Sequence, residues 1–241
     1  MCGLDTYTGK NYEHRREWVQ GRLKELSEIF GVEIFSYAVM SNHLHVVLRT
    51  RPDRVASWSG DEVAILACMA YMDLNPVRAR MADGLEDSHF TSVYDRVMAR
   101  RAGERLERLG ELPNPTLAQK REIDWEKKRR EQSRWLVDLE GEGAAFRGMD
   151  EEAYLSLVEW TGRTIRVDKP GYIPVKLEKV LDRFELDASE WAKNVAAYGG
   201  LFYRIAGRAE QLAAYARRKG QNWFRRRGGS ESLYRCAKKA A

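Results

Sequence analysis

Two of the chain's four histidines, His43 and His45, stand one residue apart in "SYAVMSNHLHVVLRT", residues 36–50. The residues around them are β-branched, aromatic and apolar, so the stretch reads as strand material. On a strand, residues i and i+2 project from the same side, which puts the two imidazoles together and turns Leu44 towards the core. Neutral imidazoles side by side are a natural ligand pair for a divalent cation. Further along, "ACMAYMDLNPVRA" places Tyr71 and Asn75 four residues apart. On a helix that spacing gives one face, so a phenol nucleophile and a carboxamide oxygen would address the same ion. Taken alone, each pair has an ordinary alternative. One imidazole can be a hydrogen-bonded core residue and the other a surface residue, Tyr71 a half-buried packing residue, and Asn75 the end of a helix.

The elements that must position these groups follow from apolar spacing. Residues 13–30 place Trp18, Leu23, Leu26, Ile29 and Phe30 at helical intervals, with Gly31 as a stop. "VEIFSYAVM" and "HLHVVLRT" predict two strands joined through Ser41 and Asn42. Asp61 is placed to cap the next helix, which must end near Asn75 because Pro76 disfavours helical geometry in the residue before it. After Tyr94 the sequence becomes charge-rich with thin apolar stripes, and from about residue 150 short apolar helical patterns return. The expected plan has a small α+β unit over 1–95, a charged helical connector over 96–148 and a helical domain over 149–241. The fold class is α+β, mostly helix by residue count.

The chain has 41 Lys and Arg against 36 Asp and Glu, a formal charge of +5 over 241 residues. That mild excess suits a polyanionic partner without requiring one. Three widely spaced cysteines, Cys2, Cys68 and Cys236, form neither a disulfide framework nor a CxxC motif, so a cytoplasmic setting is expected. The first residues are polar and charged, unlike a signal peptide. No apolar run approaches the ~20 residues of a membrane span, so no membrane partner is expected.

Together, "YAVMSNHLHVVL" followed by "YMDLNPVRA" resembles the HUH-type single-tyrosine transposases, in particular the REP-associated tyrosine transposase group. The signatures of that group are a histidine–hydrophobe–histidine strand, then a helix carrying Tyr-x-x-x-Asn that runs into Asn-Pro-Val-Arg-Ala. "TGKNYEHRREWVQGRLKELSEIFGVEI" ahead of them is also similar, and the helical C-terminal part more loosely so. The resemblance implies a ferredoxin-like HUH core, with His43, His45 and Asn75 as ligands of a divalent metal, Mg2+ or Mn2+, and Tyr71 as nucleophile. The implied reaction is cleavage and rejoining of single-stranded or hairpin DNA through a 5′-phosphotyrosine, leaving a free 3′-hydroxyl. Imidazole ligands favour manganese over magnesium, which prefers oxygen. Homodimerisation is among the assemblies that the resemblance implies.

Candidate DNA contacts are Arg49, Arg51, Arg54, Arg78 and Arg80, close to the motifs, and "RRKGQNWFRRRGG", where Trp223 and Phe224 interleave with Arg225, Arg226 and Arg227. The alternative is a solvated charged surface for the first group and inward-packed aromatics for the second. His14 and His89 read as structural. Relative to the family, the chain starts after the first strand and shortens the stretch between His45 and Tyr71, so a two-strand ribbon is expected in place of a four-strand sheet. That departure keeps two alternatives open: a catalytically inactive, transposase-derived DNA-binding protein, and a self-associating structural protein. Completion of the sheet by a partner chain is a further expectation.

Overall fold

The computed structural model describes residues 2–30, 32–50, 62–139, 146, 149–166, 173–184, 186–201 and 209–218. Among them the fold is α+β and mostly helical, with a single two-stranded antiparallel sheet. The Asp61 cap and the Trp223–Arg227 stretch lie outside the described residues. No helix among the described residues is long and apolar enough to cross a membrane. Internal packing divides the chain into two compact units, residues 1–55 with 75–138, and residues 56–74 with 139–241.

The first unit is built on a hairpin of β1 (Val32–Val39) and β2 (Leu44–Thr50), in register from Val32 opposite Thr50 to Val39 opposite Leu44. A bulge between Ile34 and Ser36 shifts the register partway. From Ile34 to Met40, β1 is buried on both faces. Its second edge is covered by irregular chain: Val39 N donates to Phe90 O (3.0 Å) and Val137 N to Ile34 O (2.7 Å). Helix α1 (His14–Phe30) lays Val19 and Leu23 on the cluster of Ile34, Tyr37, Val39 and Leu136. Trp18, expected on that apolar face, is instead 72% exposed. Val19 and Leu23 are four residues apart and share a face; Trp18 is rotated away from it.

A polar knot locks these layers. Gln20 Nε2 on α1 donates to the Tyr37 hydroxyl on β1 (2.6 Å), which donates to Asp95 (2.8 Å). Asp95 belongs to α4 (Ser92–Gly110), a helix capped by the Thr91 side chain. Ser92 Oγ accepts from Tyr37 N (3.1 Å), and Arg96 Nη2 donates to Val137 O (2.8 Å). After α4, helix α5 (Leu117–Arg130) opens with a full capping box from Thr116 and Gln119.

The second unit gathers α2 (Glu62–Asp73) with α6 (Glu151–Ile165), α7 (Val175–Arg183), α8 (Ala188–Leu201) and α9 (Ala209–Arg218). "EVAILACMAYMD" is apolar nearly all round, as a helix enclosed by others must be. Tyr198 OH reaches Ala64 O (3.4 Å), Trp191 Nε1 donates to Thr161 Oγ1 (2.9 Å), and the Tyr154 hydroxyl donates to the buried Asp73 carboxylate. Gly162 lets α6 approach Leu74 closely; a Cβ there would sit 2.7 Å from Leu74 Cδ2.

The Tyr154–Asp73 bond anchors the end of α2, two residues beyond Tyr71. Tyr154→Phe removes the donor while keeping the ring, and should lower unfolding stability by about 2 kcal/mol in denaturant titrations, since a hydrogen bond to a buried charge is lost.

Candidate metal centre

The hairpin turn places the histidines, but not as a simple strand would. β2 begins at Leu44, so His43 sits in the turn, where Met40 N donates to its carbonyl (2.9 Å), and only His45 is a strand residue. The expectation that both lie on the strand is corrected by where pairing stops, at Val39 opposite Leu44. Leu44, expected to face the core, is instead 43% exposed.

The imidazoles nevertheless meet. Their ring centroids lie 4.6 Å apart with the planes nearly perpendicular, at 85°. His43 is exposed, and its Nδ1 lies 2.5 Å from Asn42 Oδ1. A carbonyl oxygen can only accept, so His43 Nδ1 is the donor in this contact. His45, opposite Ala38 in the sheet, is half-buried, and among the described residues its buried Nε2 finds no hydrogen-bond partner. Burial lowers the His45 pKa below the ordinary histidine range, and the His43 ring and the Arg78 guanidinium act in the same direction. The ring is therefore kept neutral, the form that ligates a metal.

Helix α3 (Asn75–Arg78) belongs to the same unit. The helix bearing Tyr71 was expected to continue to Asn75; it ends at Asp73, and Pro76 falls in the first turn of α3, where a missing N–H costs nothing. Asn75 and Arg78 are three residues apart and share a face of that turn. Arg78 is within electrostatic reach of His45. Among the described residues no group of three or more His, Cys, Asp or Glu is placed to hold a metal. Asn75, the remaining sequence-predicted ligand, is half-buried in that turn.

Tyr71 stands apart from this set by unit. It is half-buried on α2, in the second unit, with its ring 5.5 Å from that of Tyr198 and tilted by 33°. The first unit thus brings together His43, His45 and Arg78 and also holds Asn75, while the second holds Tyr71. Arg49 pairs across the hairpin with Glu33 (2.7 Å), its guanidinium 5.2 Å from the Phe35 ring centre. Arg51, Arg54, Trp223, Arg225, Arg226 and Arg227 lie outside the described residues. His14 and His89 rest against the rings of Tyr12 and Tyr94. One residue that sequence reasoning passed over is Asn42, which orients His43; its position immediately before the histidine pair was the available signal.

No family model, no curated protein and no solved structure matches the chain.

Proposed function

We propose that the chain is a transposase-like protein with an incomplete ferredoxin-like HUH core that cuts and rejoins single-stranded or hairpin DNA through a 5′-phosphotyrosine at Tyr71. The observation that carries this reading is the histidine pair. His43 is exposed with its Nδ1 held by Asn42, and the Nε2 of His45 is buried without a hydrogen-bond partner among the described residues. A buried polar atom left unpaired is costly in an ordinary core, and a bound ion or an ordered water there would relieve that cost. His43, His45 and Asn75 would hold a divalent cation, manganese in preference to magnesium, that offsets charge on a phosphodiester oxygen.

The chain's own groups divide the remaining work. Asn42 holds the His43 ring by its Nδ1, and burial keeps His45 neutral. Arg78 offers a guanidinium to a phosphate beside the pair. Tyr71 Oη attacks phosphorus; the new P–O(Tyr) bond replaces the P–O3′ bond, and the phenol proton passes through solvent to the departing 3′-oxygen. Rejoining reverses the same exchange, so the bond energy is kept and no water is consumed. A cytoplasmic setting and a homodimer belong to the same proposal.

A manganese titration by calorimetry tests the ion-holding role directly. His45→Ala should weaken manganese binding at least about tenfold, and should remove the denaturation-resistant protein–DNA product from incubations with labelled single-stranded oligonucleotides. Unchanged manganese affinity in His45→Ala would refute the assignment. The catalytically inactive, DNA-binding alternative has a different signature. That alternative calls for salt-sensitive DNA binding with no covalent product.

A further inference from the structure

Away from the histidine pair, the first unit has a second concentration of charge. Helices α4 and α5 carry eleven basic against six acidic side chains, an excess of five, as large as the +5 of the whole chain. Between them lies a cleft of about 420 Å³, its charged lining Arg101, Glu104, Arg105 and Arg108 from α4 and Glu126 and Arg129 from α5, with Arg101 also paired to Glu86. The three arginines of α4 fall at i, i+4 and i+7, one stripe on one face, roughly 10 Å long at the helical rise. That is close to the axial rise of about three phosphates in one stacked strand.

The cleft is built rather than incidental. Glu126 is 5% exposed, and with Glu122 it holds Arg105, at 3.7 Å and 2.6 Å respectively, fixing the middle of the stripe. Arg129 lies over the ring of Trp125, 4.6 Å from its centre, and Trp125 is 55% exposed. Lys127, Lys128, Arg129 and Arg130 close α5, and among the described residues Arg108, Lys127, Lys128 and Arg130 make no ion pair. One or two cations suffice to complement a helix C-terminus. Four in succession, beside an arginine-lined cleft and an exposed indole, exceed that need.

We propose that the α4–α5 hairpin is a nucleic-acid contact distinct from the metal centre, taking the phosphate backbone of single-stranded DNA along its cleft with Trp125 as a platform for an unstacked base. Charge complementarity selects a polyanion, and the exposed indole flanked by a guanidinium selects a strand whose bases are free to stack. The choice of DNA among polyanions rests on the function proposed above; the surface itself does not depend on Tyr71.

The test is fluorescence anisotropy of the full chain with a labelled oligothymidylate over a salt series. The combined variant Arg108→Gln, Lys127→Gln, Lys128→Gln touches only exposed side chains. It should bind at least about tenfold more weakly, with the slope of log K against log salt reduced by roughly 2, or ~0.7 for each lost phosphate contact. Trp125→Ala should weaken binding about tenfold with little change of slope. A control of equal charge, Lys10→Gln, Lys24→Gln, Lys179→Gln, should stay close to wild type. Equal losses in both triple variants would reduce the effect to net charge and overturn the proposal. So would tighter binding of duplex than of single strand together with a neutral Trp125→Ala, or no binding by the wild type. Tyr71→Phe must leave this binding intact. Loss of covalent product alone therefore reports on the tyrosine reading, and loss of anisotropy in the hairpin variants reports on this one.

Discussion

Tyr71→Phe should lose the covalent protein–DNA product by at least about a thousandfold while binding single-stranded DNA within about twofold of wild type. The substitution removes one oxygen and keeps the ring, so the 5.5 Å packing against Tyr198 survives and α2 is left in place. Without Oη no bond to phosphorus can form, and no nearby group in the proposed scheme replaces it. The large effect expected is on adduct formation, which the loss of Oη abolishes. Two assays separate the cases: a denaturing gel for the adduct and an equilibrium titration for binding. A phenylalanine variant that still forms adduct would place the nucleophile on another residue.

The second large effect is on stability and concerns the knot that holds the hairpin. Asp95 is buried, and burial raises its pKa from the ordinary carboxyl value to about 6, while the hydrogen bonds from Tyr37 and Gln20 act in the opposite direction. The folded state then holds the proton more tightly than the unfolded chain does. The resulting stabilisation is present in full below about pH 4, near the unfolded pKa, and is lost as pH rises through about 6. A shift of about two units corresponds to on the order of 3 kcal/mol. Asp95→Asn removes the titration but keeps a carbonyl for the Tyr37 hydroxyl. Denaturant unfolding at pH 4, 5, 6, 7 and 8 should show the stability advantage of wild type over variant shrinking by about that amount between pH 4 and 7. A difference that stays constant with pH would mean that Asp95 does not titrate in this range.

How much of this was legible in the sequence depends on distance along the chain. The apolar spacing of residues 13–30 places α1 to within a residue, and the β-branched runs on either side of Ser41–Asn42 place both strands. The α+β class with helix in the majority follows from such local signals. Within an element the same signals are blunt. They do not show that Trp18 turns outward and Val19 inward, nor that the ladder ends at Leu44 and leaves His43 in the turn, because facing and register are set by partners far away in sequence. The end of α2 was foreshadowed by Pro76; the helix stops at Asp73, two residues before Asn75.

For the candidate centre, the residue types and the proximity of His43 to His45 follow from i, i+2 spacing even with one of them in a turn. The Asn42 contact of His43 and the buried Nε2 of His45, without a hydrogen-bond partner among the described residues, do not, since they depend on how the turn closes and on what buries the strand. The Gln20–Tyr37–Asp95 knot unites positions 17 and 58 residues apart, and no local pattern announces it. Arg49 is similar. Only once the register sets it opposite Glu33 does its charge have a partner. The basic hairpin of α4 and α5 was visible as charge, but its cleft depends on the two helices packing side by side.

The most direct measurement of the central claim is the site of attachment. A pool of 5′- and 3′-labelled single-stranded and hairpin oligonucleotides is incubated with the wild-type chain and manganese, resolved under denaturing conditions, and the labelled protein band is digested and sequenced by mass spectrometry. The account predicts one modified peptide, carrying a 5′-phosphate ester on Tyr71, together with a released strand ending in a 3′-hydroxyl. Modification of a different residue, or oligonucleotides that bind in a salt-sensitive manner yet leave Tyr71 unmodified across the whole pool, would contradict it.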